Sequence, residues 1–118
     1  MNKLIFLILV LSFSCSSLDE RPADGIYDYR IEFAEFVEGA MTEQCQIHFK
    51  GDSVFVINVG DSFLGVPGDT LEAGKLVKHK SGRWIILHNK NDINIDEIGG
   101  CTGGPTVIDI TNKIYWMC

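Results

Sequence analysis

No stretch of this 118-residue chain carries a convincing 3.6-residue hydrophobic stripe, so a helical bundle is excluded as its architecture. The single long apolar run, Leu4 to Phe13, is too short to span a bilayer. A membrane-crossing helix needs about 20 apolar residues. The chain turns polar straight after Cys15, through Ser16-Ser17-Leu18-Asp19-Glu20-Arg21-Pro22, so that run cannot be extended. Cations are scarce, with 10 Lys+Arg against 16 Asp+Glu and a net charge of −6. An acidic balance makes a poor partner for nucleic acid and for anionic lipid surfaces. Neither G-x-S-x-G nor H-E-x-x-H occurs, and no carboxylate dyad stands out. There is no internal repeat and no second domain. Disorder is excluded in turn, because 46% of the residues are hydrophobic.

What is present begins at the N-terminus. Lys3, the apolar run and the small residue Ser14 before Cys15 have the form of an export signal, whose hydrophobic core is roughly 7–15 residues. The alternatives are a secretory peptide in which Cys15 is incidental or disulfide-bonded, and a permanent transmembrane anchor. The box Leu11-Ser12-Phe13-Ser14-Cys15 resembles that of the bacterial lipoproteins, which signal peptidase II cuts immediately before the cysteine. Ser12 stands where the strict box has leucine, as in the looser boxes of Bacteroidota lipoproteins. Asp19-Glu20 after Ser16-Ser17 is similar to the surface-export signals of that group. The resemblance implies a signal peptide over 1–14, lipidation at Cys15 and residence in the cell envelope as an outer-membrane lipoprotein, facing the periplasm or the surface. Buried acyl methylenes contribute about 0.8 kcal/mol each, enough for two or three chains to hold the protein on a membrane. Removing Lys3 with the signal makes the remaining domain more acidic still, at −7.

Residues 15–25 are small, charged and Pro/Gly-containing, and predict a flexible tether. The domain proper is expected over 26–118. Tyr27, Tyr29, Ile31 and Phe33 alternate with Asp28, Arg30 and Glu32, the pattern of a half-buried strand. Cys45, Ile47 and Phe49 alternate likewise, then Lys50-Gly51-Asp52-Ser53 turns the chain into Val54-Phe55-Val56-Ile57. Residues 60–74 read as the longest connection, with Pro67-Gly68 in a type II turn. Further strands are expected at Lys75 to His79, Trp84 to His88, Ile93 to Ile95, Val107 to Ile110 and Ile114 to Cys118. Ala34 to Met41 reads as a loop or a single turn. The expected fold is all-β, a small antiparallel up-and-down barrel or sandwich of about seven or eight strands. This organisation loosely resembles the small lipocalin-like lipoproteins. The aromatics Tyr27, Tyr29, Phe33, Phe49, Phe55, Trp84 and Trp116 are expected to fill the interior.

Lipidation of Cys15 leaves Cys45, Cys101 and Cys118, with three possible pairings. Cys101 with Cys118 is favoured, because Cys45 falls on the core face of its strand. The glycine-rich loop Gly99 to Pro105 lacks the lysine and helix of a phosphate cradle and predicts a tight crossing beside a disulfide. Asp92, Asn94 and Asp96 have the opening spacing of a calcium loop, but Glu97 and Gly103 replace the glycine and glutamate that such a loop requires. They read better as the solvent face of a strand. His48, His79 and His88 lack a metal-ligand spacing.

The functional expectation is a non-catalytic, membrane-anchored module that binds an envelope protein or a small ligand through its rim loops, 60–74 and 96–105. No enzyme activity, no cofactor and no nucleic acid are expected. One alternative comes from Lys80-Ser81-Gly82-Arg83-Trp84, which resembles the Ser-Gly loop of the membrane-bound C-type lysozyme inhibitors. That likeness implies inhibition of a lysozyme-like hydrolase, with Ser81 inserted, Lys90 as its partner and Arg83 in the same interaction loop. A second alternative is a small enzyme using Cys101 as nucleophile.

Overall fold

The computed structural model describes residues 20–61 and 63–118; the signal segment expected over 1–14 and the expected lipidation site, Cys15, lie outside them. Seven strands follow in order: β1 (Gly25–Phe33), β2 (Thr42–Lys50), β3 (Ser53–Asn58), β4 (Thr70–Lys78), β5 (Trp84–Leu87), β6 (Val107–Asp109) and β7 (Ile114–Met117). Each pairs with the next in antiparallel fashion, and the ring closes from β7 back to β1. With an odd number of alternating strands the first and last run the same way, so the closing pair is parallel. Among the described residues no helix is long and apolar enough to cross a membrane.

The alternation read from sequence in β1 and β2 holds: Tyr29, Ile31, Phe33, Cys45, Ile47 and Phe49 are all buried. Val54 and Val56 of β3 face the same interior, which turns Phe55 between them outward, 38% exposed. Phe55 is thus not a core residue. Trp116 is only partly buried and stands opposite Glu32, on the outer face of the β1–β7 pair. Its neighbour Tyr115 supplies the interior aromatic instead, at 3% exposure. The barrel interior is a packed core in which Leu76, Ile86 and Ile108 complete the apolar set.

Four expectations are corrected. The strand expected from Lys75 begins at Thr70, because β3 and β4 shift register near Leu71, as at a β-bulge, and the inward positions hold Glu72 and Gly74, which show no apolar alternation. Residues 88–106, not 60–74, form the longest connection. Within it Lys90–Asn94 is a short 3₁₀ turn, so no strand forms at Ile93 to Ile95. Asp92 dictates this: it is buried, and its carboxylate accepts the backbone N–H groups of His88 and Asn89 at 2.9 and 3.0 Å. Finally, the ordered domain starts before residue 26. Arg21 donates to the Gly51 and Pro22 carbonyls and its guanidinium lies 5.6 Å from the centre of the Phe49 ring, so that part of the expected tether is fastened to the barrel.

Strand direction sorts the connections into two ends. The entering segment and the short turns at 51–52, 79–83 and 110–113 form one end, which we call the base. Loops 34–41 and 59–69, both ends of the 88–106 connection and Cys118 lie at the other, the rim. The 88–106 connection runs down the outer wall as far as the base, where Lys80 N–H donates to the Ile93 carbonyl, and then returns. Ile85, Val107 and Ile114 face outward yet are buried, and Gly99 of this connection packs against Val107.

Candidate functional site

Two rim loops carry most of the exposed large apolar side chains. Loop 34–41 presents Phe36 and Val37, 50% and 81% exposed; loop 59–69 presents Val59, Phe63 and Val66. The Phe63 ring lies 5.9 Å from that of Phe33, the last residue of β1, and so bridges the two loops. Clustered exposed apolar groups of this kind mark interaction surfaces, where isolated ones do not.

Each loop is fixed by a buried polar side chain. Glu32, 1% exposed, accepts the Gly39 N–H at 2.8 Å, the Thr42 hydroxyl at 2.8 Å and Arg30 Nε at 3.1 Å. Burial pushes its carboxyl upward, but these three donors outweigh burial and hold it below the ordinary range. Asn58, wholly buried, donates its side-chain amide to the Gly65 and Val66 carbonyls at 3.0 and 3.2 Å. Its own backbone bonds Asp69 and Gly68 across the loop. Inside the loop Asp69 N–H reaches the Val66 carbonyl, with Gly68 at φ +99°, as expected for the Pro67-Gly68 turn. The loops contain Glu35, Glu38, Asp61 and Asp69 and neither lysine nor arginine. The rim is therefore apolar, acidic and held in shape.

Beneath it a carboxylate points inward. Tyr115 Oη donates to Glu72 Oε1 at 2.6 Å, and His88 Nε2 lies 2.6 Å from the other oxygen. Burial, then the neighbouring Glu72, drives the Tyr115 phenol far up, so it stays a hydrogen-bond donor. This arrangement satisfies a semi-buried charge and offers no nucleophile.

The cysteines are accounted for. Cys101 and Cys118 are joined with S–S 2.07 Å, the favoured pairing. Cys45 is a free thiol, 1% exposed, and burial pushes its pKa up to about 12. Neither sulfur of Cys101 nor that of Cys45 is thus a solvent-accessible thiolate. Glu35 lies near the disulfide, but bonded sulfurs are no metal ligands. The glycine loop packs as expected: a Cβ on Gly99 would stand 2.8 Å from Val107 Cγ2 on a backbone at φ +69°, and one on Gly104 would overlap the Glu97 carbonyl.

Other expected site residues are dispersed. Ser81 and Arg83 share the basal 79–83 turn, where the Ser81 hydroxyl is 2.9 Å from Nδ1 of the buried His79. Lys90 follows β5 at its opposite end. His48 sits on the outer face of β2, opposite Ile26 and Phe55. Asp96 binds Lys80 at the base, so 96–105 is only partly a rim loop, and 70–74 belongs to β4. Asp92 is a buried cap, not a strand-face residue. A cleft of about 230 Å³ opens at the base between Arg83, Trp84, Asp109 and Ile110.

Sequence reasoning passed over Phe36 and Val37. Their signal was available: two large apolar residues between Glu35 and Glu38, in a segment with neither strand nor helix periodicity. Comparison with protein-family models, with curated proteins and with solved structures finds no match, so the functional reading rests on this geometry.

Proposed function

We propose that this chain is a lipid-anchored, non-catalytic binding module of the cell envelope that docks a partner protein on its rim. The observation that carries the reading is the pair of buried polar residues, Glu32 and Asn58, each spent on fixing a loop that exposes apolar side chains. Holding Phe36, Val37, Phe63 and Val66 in water has no benefit to the isolated domain. A surface of this composition suits a partner with apolar contacts ringed by cations. The anchor is read from Leu11 to Cys15, and the rim lies at the barrel end opposite the point where the chain enters.

Two measurements test this. Radioactive palmitate should label the wild type and not Cys15→Ala; equal labelling and membrane retention of both remove the anchor. A photo-crosslinking residue at Val37 should give a discrete adduct in cells, absent with the same residue at Phe55 and lost on Phe63→Asp. An adduct indifferent to position or to Phe63→Asp removes the rim as the binding surface.

A further inference from the structure

Although the chain is acidic overall, its charges are sorted along the barrel axis. Loops 34–41 and 59–69 hold only acids, whereas Lys50, Lys78, Lys80, Arg83 and Lys113 all stand exposed on the basal turns and strand ends. Three basal acids are already committed: Asp24 pairs with Arg21, Asp52 with Lys75 and Asp96 with Lys80. Asp109 accepts both the backbone and the side-chain N–H of Asn112, at 3.0 and 2.9 Å, which leaves its negative charge in place beside those of the exposed acids Glu20 and Glu97. Lys50, Arg83 and Lys113 are in no ion pair among the described residues. The base therefore gathers cations beside its acids, whereas the rim loops hold acids alone, a polarity along the barrel that the net charge conceals.

The chain also enters at this end. Arg21 is fastened against Phe49 and Gly51, and only five residues separate it from Cys15. At roughly 3.3–3.6 Å per extended residue, the base stands no more than about 22 Å from the anchoring cysteine. A Debye length is about 8 Å at physiological salt, so any slack in that segment brings the basal cations within range of charged headgroups.

From these two observations we infer that the basal face, Lys50, Lys78, Lys80, Arg83 and Lys113, seats on an anionic phospholipid surface and holds the barrel upright with its rim directed away from the membrane. The inference rests on the lipid-anchor reading of Cys15. Lys78 Nζ lies 5.3 Å from the Trp84 ring centre, which places an indole among the cations, the composition favoured at a headgroup boundary.

The test uses full-length protein purified from membranes and reconstituted into vesicles of phosphatidylcholine alone or mixed with phosphatidylglycerol. A water-soluble amine-acylating reagent reads each lysine by peptide mass spectrometry, with Lys90, outside the basal face, as internal control. Lys50, Lys78, Lys80 and Lys113 should be protected several-fold in the anionic vesicles, and the protection should vanish at high salt. The double variant Arg83→Glu/Lys113→Glu should lose most of it at the remaining lysines, with an unchanged circular dichroism spectrum confirming the fold. Equal labelling in both vesicle types overturns the inference, as does protection in phosphatidylcholine alone, which indicates occlusion by another protein copy or by anchoring. The intact mass of the same sample reads acylation separately. An acyl mass without protection overturns the inference and leaves the anchor; no acyl mass overturns the anchor and the inference with it.

Discussion

Replacing Glu32 with glutamine tests whether a buried carboxylate is what holds the rim. The substitution preserves size and shape but removes the charge and turns one oxygen into a donor. Glutamine can keep its oxygen toward Gly39 N–H, which leaves its NH₂ facing Arg30 Nε and the Thr42 hydroxyl. Thr42 can rotate its hydroxyl to accept; a guanidinium cannot accept at all. The net loss is one charge-assisted hydrogen bond, on the order of 1.5–3 kcal/mol. Arg30 is 40% exposed and already reaches Glu38, so it can swing away and the lower part of that range applies, about 1.5–2 kcal/mol. For a domain near 100 residues this lowers Tm by roughly 10 °C. The sign of the pH dependence follows from the lowered carboxyl. Its stabilisation is fully present above the unfolded-state value, near pH 4.5, and is lost as pH falls through the folded value. Glutamine does not titrate, so the gap between wild type and Glu32→Gln should be widest at neutral pH and should close on acidification. Urea unfolding followed by tryptophan fluorescence measures it, with Trp116 opposite Glu32 as a local reporter. Hydrogen exchange at the Gly39 amide should quicken in parallel. A gap that is negligible at neutral pH, or that stays constant into the acid range, refutes the reasoning.

Three more outcomes are expected. Gly74→Ala places a methyl 2.7 Å from Ile86 Cγ2 and 3.1 Å from the Leu87 carbonyl; this overpacking should cost about 1–3 kcal/mol in urea titrations, partly recovered by adding Ile86→Val. Cys118→Ser opens a bridge between residues 17 apart and should lower stability by about 3 kcal/mol, an effect that reductant reproduces in the wild type and not in the variant. Cys45 should not react with Ellman's reagent in the native protein and should react after denaturation, since it is buried with its pKa pushed to about 12; rapid native reaction would mean the barrel wall opens there.

Legibility in the sequence followed how evenly each segment is buried. β1 and β2 were readable because one face meets the core and the other meets water, so a period of two appears in the residue types. The first half of β4 was not, because Leu71 falls at the register shift and the inward places went to a carboxylate and a glycine whose partners, Tyr115 and Ile86, come from β7 and β5. Ile93 and Ile95 looked like a strand because alternation alone cannot reveal that Asp92 folds back onto the backbone of His88 and Asn89. The rim was half visible: the 59–69 turn announces itself through Pro67-Gly68, but nothing local says that Glu32 and Asn58 are buried or which loops they hold.

The chain alone thus determined an all-β domain, favoured Cys101 with Cys118 among three pairings, and showed a box ending at Cys15 that resembles that of lipoproteins, since each reading depends on neighbouring residues or on composition. Only the tertiary structure decided which side chains share an end. Net charge is a sum and carries no position, whereas alternating strand direction sends successive turns to opposite ends. That alternation puts the apolar, acidic loops on the rim and the lysines of the short turns on the base, beside the segment that leads back to Cys15.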